Sequence, residues 1–177
     1  DGTIYQRPFG GMTTEFGQGE SQITETLMAI RELDTPAIML WPNADAGSED
    51  VARGMRKFRE HFSHDRIRFY KNFPVETYVR LMLRCSCMVG NSSSVIREGA
   101  FLGIPAVNIG TRQKGRERGS NVIDVGYDRE QILEAIKQQS SNGRYPSDPI
   151  YGDGKSGVRI ADILATHELT VQKRMMY

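Results

Sequence analysis

Two hydrophobic rhythms alternate along the chain. Short, nearly continuous apolar runs occur at PAIMLW (36–41), IRFYK (67–71), CMVG (87–90), PAVNIG (105–110) and NVIDV (121–125). Their length and continuity predict strands, PAIMLW a buried one, and TIYQ (3–6) reads as one more. Between them, apolar residues recur three and four apart. Ile23, Leu27, Ile30 and Leu33 predict a helix over 20–33. Val51, Met55, Phe58 and Phe62 predict another over about 49–62, with Ser48 as its N-cap and acids in its first turn. Tyr78, Leu81, Met82 and Cys85 turn inward from a helix over 75–85. Further helices are expected over about 93–102, with Gly103 at the end, over 129–139, and over 155–167 after a Pro- and Gly-rich loop.

Strands alternating with helices of this length imply βαβ units. The expected fold is therefore α/β: a Rossmann-like, doubly wound, mainly parallel sheet with helices on both faces. Ligands of such sheets sit outside the carboxyl ends of the strands. The loops to inspect are 6–18, 42–48, 71–74, 90–94 and 110–119. There is no internal repeat and no linker long enough to divide the chain.

Bulk properties narrow the function. The chain has 177 residues, with 23 Lys+Arg against 22 Asp+Glu and a net charge of +1, which argues against a nonspecific nucleic-acid binder. No apolar run reaches the ~20 residues of a membrane span, and no signal peptide opens the sequence. Cys85 and Cys87, separated by one residue with no third ligand nearby, read as reduced core thiols in a cytoplasmic protein. The start, DGTIYQ, lies within a strand and has no initiator Met, so the chain is expected to be one domain of a longer protein.

The chemistry concentrates in CMVGNSSSVIREGAFLGIPAVNIG (87–110). Asn91 to Ser94 fall at a strand-to-helix turn. The first N–H groups of a helix lack internal partners, and the helix dipole adds partial positive charge there. Serine hydroxyls add donors, so the turn suits an anion, phosphate above all. Glu98, about a turn further in, is suited to accept hydrogen bonds from paired sugar hydroxyls. The same residues also serve as ordinary helix capping, and the turn by itself does not decide between the two. GTRQKGRERG (110–119) brings Arg112, Lys114, Arg116 and Arg118 to the same edge of the sheet, and WPNADAGS (41–48) brings Asn43 and Asp45.

WPNADAGS, GNSSSVIREGAFLGIPAVNIGTRQKGRERGSNVIDV and DPIYGDG together resemble the hydrolysing UDP-N-acetylglucosamine 2-epimerases, over about Thr13 to Ala165. The resemblance implies a GT-B architecture of two Rossmann-like domains flanking a cleft. Residues 1–177 would be the C-terminal, UDP-binding domain, with the N-terminal domain outside this chain. It implies conversion of UDP-N-acetylglucosamine to N-acetylmannosamine and UDP, feeding sialic-acid-type pathways. The C2 proton is abstracted, UDP is expelled, and the resulting glycal is hydrated with inverted C2 stereochemistry. Matched by motif, Ser92 and Ser93 hold the diphosphate and Glu98 the ribose. Asn43 and Arg112 are further nucleotide contacts, and Asn72 and Phe73 frame the uracil through backbone groups. The proton-abstracting carboxylates belong to the other domain, so no catalytic residue is assigned here and the isolated half is expected to be inactive. No metal or cofactor is implied. The expected partners are UDP, UDP-N-acetylglucosamine, the N-terminal domain and, for the full-length protein, further copies of itself.

Two departures from the family pattern stand out. Arg7 occupies the place of a histidine in a Gln-His-Pro-x-Thr-Thr-Glu signature, where it is suited to contact phosphate but not to donate a proton. Val95 replaces a common glycine and is expected to crowd the helix start. Arg53 and Arg56 match arginines that, in the animal bifunctional branch, belong to a CMP-sialic acid inhibitory site; from the residues alone they form a solvated basic face. The rival readings are the nucleotide-sugar-binding domain of a GT-B glycosyltransferase, a non-catalytic nucleotide-sensing module and a plain α/β interaction domain.

Overall fold

The structure is a computed structural model and describes residues 4–6, 17–44 and 46–167. In chain order the elements are β1 (Ile4–Gln6), α1 (Gly19–Glu32), β2 (Ala37–Leu40), α2 (Ser48–His61), β3 (Ile67–Tyr70), α3 (Val75–Arg84) and β4 (Cys87–Gly90). They continue as α4 (Ser93–Phe101), β5 (Ala106–Ile109), β6 (Val122–Val125), α5 (Arg129–Asn142) and α6 (Ser156–Thr166). The six strands form one sheet in the order β3-β2-β1-β4-β5-β6, and every neighbouring pair is parallel. The chain steps outward from β1 to β3, crosses back to β4, and steps outward the other way. The order therefore reverses between β1 and β4, the place where doubly wound sheets open a crevice.

The apolar periodicities become two cores. Ile23, Leu27 and Ile30 of α1, Val51, Met55 and Phe58 of α2, and Ile132 and Ile136 of α5 pack on one face of the sheet with Cys87, Val89, Val107 and Ile109. Met82 of α3 and Val95 of α4 pack on the other with Met88, Ile104 and Ala106. β4 and β5 are buried at all four of their positions, as strands covered on both faces must be. Among the described residues no helix is long and apolar enough to cross a membrane.

Two local expectations fail. Ser48 is the first residue of α2 and not its cap; Gly47 is the N-cap, in the left-handed region at φ 79, with no side-chain hydrogen bond. The tight turn after Ala46 needs that conformation, which glycine adopts without steric cost. Phe62 does not join the core. It is extended (φ −125, ψ 143) just past the end of α2, which takes it off the helical face. Its ring lies 5.3 Å from that of Phe58, beneath the Arg31 guanidinium at 5.5 Å.

Both cysteines are free and buried, Cys87 in the first core and Cys85 in the second. Burial pushes the Cys85 thiol up to about 11 and the Cys87 thiol well above its ordinary value of 9.0. In the unfolded chain both ionise near the ordinary value. The protonated thiols' contribution to stability is thus fully present below about pH 9 and lost as pH rises toward 11. At pH 8 an aromatic disulfide reagent should label neither cysteine until urea unfolds the chain. Between pH 9 and 11 the urea midpoint should fall more steeply for the wild type than for Cys85→Ala. Rapid labelling of the native chain would contradict this burial.

Candidate anion and nucleotide site

The turn after β4 begins at Asn91, which is 2 % exposed. Ser92 follows in extended geometry (φ −77, ψ 146) as the N-cap of α4, and its Oγ accepts the Ser94 N–H at 3.4 Å. That bond is too long to be strong. Ser92 and Ser93 are half-buried, whereas Ser94 is buried. The first turn of α4 holds no acidic residue, so no carboxylate opposes the positive end of its dipole. Since the turn follows β4, it lies at the switch point of the sheet.

Val95 does not crowd this turn. It is fully buried in the second core beside Met82, Met88 and Ile104, pointing into the sheet and away from the helix start. Ile96, next in line, is also fully buried.

The basic loop after β5 is bound to the serine turn. Gln113 is 3 % exposed, and its Nε2 donates to the Asn91 carbonyl at 2.6 Å. Arg118 folds the loop back on itself: Nη2 donates to the Gln113 carbonyl at 2.8 Å, and Nε pairs with Asp124 Oδ2 at 3.0 Å. Asp124 on β6 is the register partner of Asn108 on β5, whose Nδ2 donates to Asp124 Oδ1 at 2.5 Å. Of the four cations in the run, Arg118 is therefore a structural brace. Arg112 is half-buried on the same loop, while Lys114 and Arg116 are exposed.

Glu98 is exposed on α4 and borders a pocket of about 390 Å³ shared with Arg97, Phe101, Tyr151 and Gly152. The Arg97 guanidinium lies 5.9 Å from the centre of the Tyr151 ring, and Tyr151 Oη donates to the Glu117 carbonyl at 2.6 Å. Tyr151 thus joins the YGDG segment to the basic loop beside Glu98. In that segment Arg159 grips Asp153 with both Nη atoms, at 2.9 and 2.6 Å, and holds its carboxyl below the usual range.

Asn43 is exposed at the end of β2, on the same sheet edge. Asn72 Oδ1 accepts the Phe73 N–H at 2.8 Å, so that backbone donor is engaged within its own loop. The Phe73 ring lies 4.8 Å from that of Tyr70 and packs on the second core. Arg7 and Asp45 lie outside the described residues. Arg53 and Arg56 sit on α2 among carboxylates: Arg53 pairs with Glu20 at 2.9 Å and also with Asp50, and Arg56 pairs with Glu49 at 2.6 Å. Lys57 reaches Glu20 at 2.5 Å, and Lys57 and Arg53 together hold the Glu20 carboxyl below its usual range. No cluster of three or more His, Cys, Asp or Glu able to hold a metal occurs among the described residues.

Sequence reasoning passed over Gln113, Asn108, Asp124 and Tyr151. The amide of Asn108 inside PAVNIG was a usable signal, since a polar group in a buried strand needs a partner.

The sequence model of the UDP-N-acetylglucosamine 2-epimerase family matches residues 13–165. A UDP-N-acetylglucosamine 2-epimerase of Neisseria meningitidis serogroup B is 28% identical over 174 residues, which is 95% of this chain and 45% of that protein. A hydrolysing UDP-N,N'-diacetylbacillosamine 2-epimerase of Legionella pneumophila is 30% identical over 151 residues, 85% of this chain and 39% of that protein. Among solved structures, a UDP-GlcNAc 2-epimerase from Neisseria meningitidis bound to UDP-GlcNAc superposes with a TM-score of 0.70 at 13% identity, over 94% of this chain and 45% of that one. The fold is that of one half of a GT-B-like epimerase, and the chain spans less than half the length of these relatives. With the match extending over most of its length, the chain belongs to the UDP-N-acetylglucosamine 2-epimerase family.

Proposed function

We propose that residues 1–177 are the C-terminal, UDP-binding half of a hydrolysing UDP-N-acetylglucosamine 2-epimerase, which yields N-acetylmannosamine and UDP. The observation that carries this is the serine turn: an acid-free helix start at the switch point of a parallel sheet, with the basic loop fastened to it through Gln113. In this reading Ser92 and Ser93, with the first N–H groups of α4, receive the diphosphate. Arg112 adds charge, Glu98 receives the ribose hydroxyls, and Asn43, Asn72 and Phe73 border the nucleoside.

The reaction breaks the bond between sugar C1 and the diphosphate oxygen, whose electron pair leaves with UDP, while a base takes the C2 proton. Oriented donors at the diphosphate favour that departure, because they meet charge as it develops. The base is assigned to the other domain. Without that second wall, bound sugar stays in water with no positioned base.

The chain alone should therefore bind UDP in a calorimetric titration and release no N-acetylmannosamine from UDP-N-acetylglucosamine. Activity surviving repurification would place the catalytic groups in this half. Glu98→Gln should weaken UDP and leave a 2′,3′-dideoxy analogue nearly unaffected, since the analogue has no hydroxyls to hold. Equal losses for both ligands would remove Glu98 from the ribose.

A further inference from the structure

We infer that Gln113 is the positioning residue of the anion turn: its carboxamide holds the Asn91–Ser92 peptide in the orientation that presents the Ser92 N–H to phosphate. The inference rests on the proposed UDP site and adds a residue that makes no phosphate contact itself.

The geometry is specific. Gln113 Nε2 donates at 2.6 Å to the carbonyl of Asn91, and that carbonyl shares a peptide plane with the Ser92 N–H. In a trans peptide the C=O and N–H point in opposite directions. A grip on the carbonyl therefore aims the N–H the other way and polarises it. Both groups are shielded from water, with Asn91 at 2 % and Gln113 at 3 % exposure, so solvent does not compete for the bond.

Gln113 is itself held. Its carbonyl accepts Arg118 Nη2 at 2.8 Å and the Arg116 N–H at 3.2 Å, and Arg118 is anchored by Asp124 at 3.0 Å. Asn108, fully buried, pairs with the same carboxylate across the β5–β6 register. A continuous chain of contacts thus runs from two strands, through the basic loop, to the peptide before Ser92. Packing does not account for an amide at this position. Gln113 Oε1 is buried and has no hydrogen-bond partner among the described residues. A buried carbonyl in that state is costly, and a leucine would fill similar space without it. The hydrogen bond to Asn91 gives the amide its purpose.

The test uses UDP and uridine with residues 1–177, UDP by calorimetry and uridine by ligand-observed NMR. Gln113→Leu should weaken UDP at least tenfold and leave uridine unchanged, because only the phosphates meet the turn. Gln113→Glu keeps the shape but turns an oxygen toward the Asn91 carbonyl. It should lose UDP at pH 8 and regain it, relative to wild type at the same pH, by pH 5, where the protonated acid again donates. Should Gln113→Leu not fold, that pH series decides. Retained UDP affinity, parallel loss of UDP and uridine, or a Gln113→Glu deficit that ignores pH would each overturn the inference. If Ser92→Ala with Ser93→Ala loses UDP while Gln113→Leu keeps it, this inference alone fails. A wild-type chain that binds no UDP removes the UDP site and this inference with it.

Discussion

Replacing Ser92 and Ser93 together by alanine should lower UDP affinity by about a hundredfold or more while leaving the fold nearly as stable. Hydrogen bonds to a charged group contribute about 1.5–3 kcal/mol each. Two such losses correspond to that factor, since about 1.4 kcal/mol is tenfold in affinity. The cost to folding is far smaller. Ser92 caps α4 through one 3.4 Å bond to the Ser94 N–H, and losing a cap of ordinary strength costs about 1 kcal/mol. Val95 and Ile96, which bind α4 to the sheet, are untouched. Calorimetry with UDP and a urea denaturation curve on the same preparation separate the two effects. Unchanged affinity would reduce the serines to capping. A parallel collapse of stability would show that the turn holds the fold, not the ligand.

Gly103→Ala should destabilise the chain by about 2–5 kcal/mol, a large share of the ~5–15 kcal/mol that holds a domain of this size together. Gly103 follows α4 with φ +61, a conformation that alanine adopts only under strain. A Cβ there would also lie 2.0 Å from the Tyr145 carbonyl oxygen. The backbone cannot easily retreat. The Gly103 carbonyl accepts the Tyr145 N–H at 2.9 Å, the Asp148 N–H reaches the Ala100 carbonyl at 3.0 Å, and Ser147 Oγ reaches that of Phe101 at 2.6 Å. This strap fixes the far end of α4, the helix whose near end carries the serine turn, so UDP affinity should fall with stability. Gly143→Ala is the control. It has φ +71 and ψ −161, a region essentially confined to glycine, with nothing within 4 Å of an added Cβ, so its cost is conformational alone, about 1–3 kcal/mol. Equal urea midpoints for the two variants would mean that the Tyr145 contact relaxes at no cost.

The sequence by itself determined the elements, and it pointed to one edge of the sheet for the candidate chemistry. Apolar runs such as CMVG and PAVNIG read as strands, because they are too short for a helix and are bounded by glycine and proline. Ile23, Leu27 and Ile30 could share a buried face only on a helix. Alternation then required parallel pairing, and parallel pairing sends ligand loops to one edge. Asn43, Asn72, Ser92, Glu98 and Arg112 are candidates that local rules and motif resemblance single out. Only the tertiary structure decided the strand order, and with it that the serine turn lies at the reversal between β1 and β4. It also decided that Val95 faces the core, that Gly47 caps α2, and that Arg118 braces a loop where four cations had looked alike. The physical reason is range. A propensity or a period acts over a few residues, whereas the bond from Gln113 to Asn91 spans 22 positions and that from Asn108 to Asp124 spans 16. Such contacts exist only after crossovers have brought separate strands side by side, and nothing in the local sequence names the partner of a buried amide.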